Sequence, residues 1–173
     1  MKKRQLLMSL AAFLSLLLTG CLSDDNEIVC IEDFEGELKE NETELVGQWM
    51  LSGIVSEKEV DLTDDDADNP IKDIFVQYTD CQNDRIYTFA NNRRYTFIRG
   101  GNDTLACKNK SESDGTWRLS GKTLSFVTEC NIRNMNIVLN REESFFSVSD
   151  DFEIKDVQGK VIRSEVTFTY TMK

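Results

Sequence analysis

Apolar residues along this chain recur mostly at every second position, the spacing of strands that bury one face. Tyr87 and Phe89 share a face, as do Tyr95 and Phe97, and Asn91-Asn92 supplies a turn between them. The two runs therefore predict a hairpin. Gly115 to Leu119 and Leu124 to Phe126 repeat the pattern across Ser120-Gly121-Lys122. Upstream, Leu45 to Val55 predicts a first strand with Trp49, Leu51 and Val55 on one face. Downstream, Met135, Ile137 and Leu139 alternate, then Phe146 and Val148, then Phe152 and Ile154. After a turn at Gln158-Gly159, Val166, Phe168, Tyr170 and Met172 alternate with threonines and one glutamate. One stretch breaks the period. Ile71, Ile74, Phe75 and Tyr78 fall at helical spacing, which predicts a short amphipathic helix plugging one end of the sheet.

About eight or nine strands with one polar face predict an all-β domain. The expected architecture is an antiparallel up-and-down β-barrel of about eight strands, with a two-sheet sandwich as the alternative. The inward faces collect Trp49, Phe89, Phe97, Trp117, Phe126, Phe146, Phe152 and Phe168 beside large aliphatics, which predicts a mostly filled interior. Tyr87, Tyr95 and Tyr170 share those faces but carry hydroxyls that need partners. They are the candidate ligand-binding residues, at a pocket mouth where they would orient a ligand's polar end.

The first twenty residues are of another kind. Lys2, Lys3 and Arg4 precede an apolar run from Leu6 to Leu18, too short to span a bilayer as a helix. The run ends in Leu18-Thr19-Gly20-Cys21, which resembles the lipobox of bacterial lipoproteins. The resemblance implies a signal peptide over 1–20 and lipidation of Cys21. The lipid would anchor the chain to the outer membrane without spanning it. Residues 21–44 form an acidic tether. Ten carboxylates and one lysine lie between Leu22 and Glu44, a composition expected to stay extended and hydrated. Its start, Ser23 to Glu27, resembles the short acidic signal that sends some Gram-negative lipoproteins to the cell exterior. The barrel domain is then expected over 45–173.

Charge is segregated. The chain without Lys2, Lys3 and Arg4 is near −14, yet residues 74–173 carry 14 basic and 13 acidic groups. No basic stripe is left to displace counterions, so no nucleic-acid partner is expected. Asp64, Asp66 and Asp68 alternate like a calcium loop, but Asn69 stands where that loop needs Gly and Phe75 where it needs Glu. The expectation is an acidic loop facing water and no metal.

Cysteines supply constraint rather than chemistry. Setting Cys21 aside leaves Cys30, Cys81, Cys107 and Cys130, an even number for an oxidising compartment. Three pairings are possible. Cys81–Cys107 is favoured, tying the expected helix to the loop after the first hairpin and leaving Cys30–Cys130. Histidine is absent from the chain, which removes the commonest general base and metal ligand. No serine sits in a nucleophile motif, and Asp150-Asp151 is expected in a turn with its side chains in water. No catalytic residue and no cofactor is expected.

Gly47-Gln48-Trp49 is the G-x-W triplet that lipocalins carry on their first strand, and Gly115-Thr116-Trp117 is a second. With the cysteine-bracketed aromatic hairpin, the chain resembles the lipocalin-like domains of secreted bacterial lipoproteins. That resemblance implies a barrel base closed by Trp49, with Arg163 near the last strand packed over it. It also implies a monomer binding a small apolar or amphipathic molecule. The other function class left open is a filled barrel contacting proteins or glycans through its loops.

Overall fold

The computed structural model describes residues 29–101, 107–142 and 144–173. The leader over 1–20, Cys21, Asp24, Asp25 and Glu27 lie outside the described residues. The strands are β1 (Gly47–Val60), β2 (Ile71–Asp73), β3 (Arg85–Phe89), β4 (Arg94–Arg99) and β5 (Ser111–Ser120), then β6 (Thr123–Thr128), β7 (Asn131–Asn140), β8 (Phe145–Lys155) and β9 (Val161–Met172). Each strand from β3 to β9 pairs with the next, and β1 pairs with β3 on one side and β9 on the other. Eight strands therefore close an antiparallel up-and-down barrel, and β2 adds a ninth against the far half of β1. The β1–β9 seam excludes the sandwich, because no second sheet remains.

The first strand departs from its expected pattern. It starts at Gly47 and runs to Val60 rather than ending at Val55. Ser52 is an extra residue between Leu51, which faces Tyr170, and Gly53, which faces Thr169. Such a bulge moves every later side chain to the opposite face. Ile54 is buried as a result, and Val55 is 49% exposed.

The expected helix over Ile71–Tyr78 is not formed. β3 covers β1 only from Gly47 to Met50, so the edge of β1 beyond is bare, and Ile71–Asp73 pairs with it as β2. Ladder bonds on a free edge win over helical spacing here. Only Phe75–Gln77 turns, as one 3-10 helix. The helix that does form nearby, α2 (Asp80–Asn83), is capped reciprocally by Thr79 and Gln82.

The acidic tether is likewise corrected from Cys30 onward. A Cys30–Cys130 disulfide joins it to the β6–β7 turn. The Phe34 N–H donates to Thr116 Oγ1 at 2.9 Å, and Arg118 lies over the Phe34 ring at 4.4 Å. Thr116 is consequently buried although it faces outward. The segment then crosses the barrel base as α1 (Glu40–Thr43), and residues 30–44 belong to the folded body.

At that base lies a buried ion pair. The β3–β4 turn places Arg93 in the left-handed region, φ 65°, and its side chain is aimed inward. Its Nη1 and Nη2 donate to the two Glu42 carboxylate oxygens, both at 2.9 Å. Nε and the remaining hydrogens reach the carbonyls of Gly36, Glu37 and Trp117. Glu42, 0% exposed, also accepts from the Lys39 and Leu119 N–H groups. Burial pushes the Glu42 carboxyl up, but these bonds and the Arg93 charge outweigh it and hold the group below its ordinary value.

The interior is filled, as expected. Trp49 meets Phe146 edge-on at 5.2 Å, Phe89 meets Trp117 at 5.1 Å, and Phe146 stacks on Tyr170 at 5.0 Å. Both indole N–H groups are bonded, to Leu45 O and Ala90 O. Phe152 is the inward residue that is not enclosed, at 40% exposure, because the β8–β9 hairpin runs past the barrel rim.

Removing one partner of a buried pair strands the other charge, so Glu42→Ala is expected to lose about 3–5 kcal/mol. Urea denaturation measures it. Glu42→Gln, which keeps the shape but not the charge, should also lose stability.

Second, the Cβ of an alanine at Gly115 would sit 2.0 Å from Val127 O. Gly115→Ala is therefore expected to lower the thermal midpoint by several degrees, read by circular dichroism.

Candidate functional site

The two ends of the barrel differ. The base is sealed by α1, Arg93 and the two tryptophans. The mouth is framed by the β4–β5 connection, the β6–β7 turn and the β8–β9 hairpin, and both disulfides sit there. Cys81–Cys107 ties α2 to the segment after β4, with Cα atoms 5.5 Å apart. Cys30–Cys130 holds a two-residue turn in which Glu129 and Cys130 both have positive φ, 47° and 66°. That turn suits glycine and asparagine, so here the bridge secures a conformation that the residue types do not favour.

Below the rim lies a cavity of about 320 Å³ lined by Tyr87, Tyr95, Phe97, Phe126, Thr128, Glu129 and Arg133, among others. A neighbour of about 260 Å³ shares Tyr87, Phe97 and Arg133 and adds Arg85, Arg99, Phe168 and Tyr170. The three tyrosines singled out from the sequence therefore meet at one end of the barrel. Their roles differ. Tyr95 donates to Thr128 Oγ1, whose own hydrogen goes to Asp114 O. The hydroxyls of Tyr87 and Tyr170 have no protein partner among the described residues. Burial pushes both phenols above their ordinary value, and for both the charges of Arg133 and Arg85 act in the opposite direction.

Arg163 is not where the resemblance puts it. Its side chain is 82% exposed and bonds Glu153 across β8 and β9. Trp49 faces Met172, nine residues further along β9, or about 30 Å at a strand's rise. Trp49 does close the base, but the arginine buried at that end is Arg93, from the turn that follows the neighbouring strand β3. Asp150 and Asp151 are also displaced. They lie within β8, exposed, rather than in a turn. In the acidic loop Asp61 is buried, accepting from the N–H groups of Thr63 and Asn69, while Asp64, Asp66 and Asp68 face water. No cluster among the described residues offers three acidic or thiol ligands to a metal.

Sequence reasoning missed Arg85, Arg99 and Arg133. The signal was present. Arg85 precedes Tyr87 by two residues, Arg99 follows Phe97 by two, and Arg133 precedes Met135 by two, so each continues an inward face toward the mouth.

This closed barrel with an occupied core and an open, tyrosine-lined mouth defines the class of protein. The chain belongs to the family described as a domain of unknown function, DUF5004, whose model matches residues 23–173. No curated protein and no solved structure matches it.

The phenols supply a test. Unfolded tyrosines ionise near pH 10, before the buried pair. The phenols' contribution to stability is therefore expected to be constant below about pH 10 and to fall as pH rises from there through the raised folded values. Absorbance at alkaline pH should show Tyr87 and Tyr170 ionising only above the ordinary phenol range, or as the protein unfolds.

Proposed function

We propose that this chain is an envelope-bound lipoprotein whose lipocalin-like barrel holds a small apolar or amphipathic molecule at its mouth. The observation that carries the reading is the paired cavity beneath the rim, where Tyr87 and Tyr170 present hydroxyls without protein partners above an aromatic floor. Ligand sites combine apolar walls with a few convergent polar groups, and this one does so. The filled core bounds the ligand's size, since nothing long can descend past Phe126 and Phe146. The lipocalin-like relation rests on the barrel topology and on Gly47-Gln48-Trp49, with Trp49 at the base.

The reading is of a binder and not of an enzyme. The chain lacks histidine, Glu42 is consumed by structural bonds, and Glu129 is the one carboxylate among the described residues on the two cavity walls. Lipidation at Cys21 rests on the lipobox-like leader, and display at the cell exterior on Asp24, Asp25 and Glu27. A second reading, a surface interaction protein, is favoured by one observation, the completeness of the core packing.

Two measurements test this. Detergent-phase partitioning should place the wild type in detergent and Cys21→Ala in the aqueous phase; equal partitioning overturns the anchor. Native mass spectrometry of gently purified protein, followed by a thermal-shift screen of fatty acids, sterols, haem and glycans, should reveal one saturable class. A barrel that is empty and shifted by none of them leaves the interaction reading.

A further inference from the structure

We infer that the mouth recognises an amphipathic anion, with Arg85, Arg99 and Arg133 receiving an oxyanion headgroup and Phe97 and Phe168 holding its apolar body. This rests on the mouth being a ligand site and narrows that reading to one ligand class.

The first argument is placement. Side chains alternate across a strand, and the inward faces read Arg85, Tyr87, Phe89 on β3, Tyr95, Phe97, Arg99 on β4 and Arg133, Met135, Ile137 on β7. All three arginines line the same cavity. Arg85 and Arg99 are direct cross-strand partners, an arrangement that destabilises a sheet when the charges are alike.

The second argument is neutralisation. The chain carries 31 acidic residues against 20 basic, and four of the five described arginines elsewhere find carboxylates, Arg118 lying over the Phe34 ring instead. Arg93 has Glu42, Arg94 has Asp114, Arg141 has Glu44 and Arg163 has Glu153. Arg99 and Arg133 form no ion pair among the described residues, and Arg85 bonds the Gln82 carbonyl and lies 5.5 Å from the centre of the Phe168 ring. Glu129, on the first cavity's wall, is one negative charge against three positive ones. Converging, unneutralised guanidinium groups are a preformed receptor, because their planar forks bind carboxylate and sulfate with two parallel hydrogen bonds.

The third argument is the surroundings. Tyr87 and Tyr170 can donate to the same headgroup, and the rings of Phe97 and Phe168 adjoin the arginines. The occupied interior keeps the apolar body at the rim.

The test is calorimetric titration of the full chain, as the Cys21→Ala variant to avoid detergent, with decanoate, decyl sulfate, decanol and decyltrimethylammonium. Decanoate and decyl sulfate should bind about tenfold or more tighter than decanol, and the tighter of the two identifies the headgroup. Arg99→Gln and Arg133→Gln should each weaken the anions about tenfold and leave decanol unchanged. Neither side chain holds an ion pair among the described residues, so melting of the free protein should not fall, and Arg99→Gln, which relieves the repulsion with Arg85, should if anything raise it. Without any variant, raising NaCl from about 50 to 500 mM should weaken decanoate and spare decanol. Decanol or the cationic probe binding as tightly as decanoate, with no salt dependence, overturns the anion assignment and leaves the ligand-site reading intact. Failure of all four probes overturns both.

Discussion

The fold depends on a carboxylate and a guanidinium that water never reaches. Glu42 and Arg93 are 51 residues apart in the chain, and each satisfies the other's strongest demand. A buried charge alone costs several kcal/mol, so neither is tolerable without its partner. The pair makes the N-terminal segment obligatory, because without α1 the arginine would be stranded between Trp117 and the turn. It also explains a left-handed arginine in the β3–β4 turn. The backbone conformation aims the side chain at the base, and five hydrogen bonds to Glu42 and to the Gly36, Glu37 and Trp117 carbonyls offset its strain.

The two ends of the barrel show opposite treatments of arginine. At the base, every donor of Arg93 is consumed within the protein, and the result is a seal. At the mouth, Arg85, Arg99 and Arg133 line one cavity with Glu129 alone among the described carboxylates on the adjoining wall, and the result is an unsatisfied field. A barrel of eight strands has room either for side chains or for one small guest. This one is divided along its axis, side chains occupying the lower part and the open cavity the upper.

Much of this was legible in the residues, and the misses have physical causes. Period-two alternation identified every barrel strand and nearly all of the core, because each strand buries one face and register errors are costly. Val55 misled because one bulged residue, Ser52, inverts the pattern in mid-strand, and nothing in its identity announces that. Ile71 to Tyr78 misled because helical spacing says nothing of a bare strand edge waiting beside it. Both disulfide pairs followed from even cysteine counting and the hairpin layout. Glu42 was hidden among ten tether carboxylates, since composition cannot tell a buried acid from its neighbours. Arg85, Arg99 and Arg133 were missed for another reason: arginine at a strand end looks like a solubilising surface residue until the inward face is followed to its last position.

The Cys30–Cys130 bridge settles where the chain leaves the barrel. The departure point is the rim of the mouth and not the base, so the molecule hangs like a cup held by its lip. Cys30 is nine positions along the chain from Cys21, and an extended chain spans at most about 30 Å over that length. With the proposed lipid at Cys21, the opening would lie close to the bilayer surface and the sealed base away from it. A molecule leaving or entering that surface then has a short path to the cavity, and one arriving from solution must come in at the side. Under the proposed lipidation, attachment by the lip would suit the barrel to transfer at a membrane rather than to free-roaming carriage.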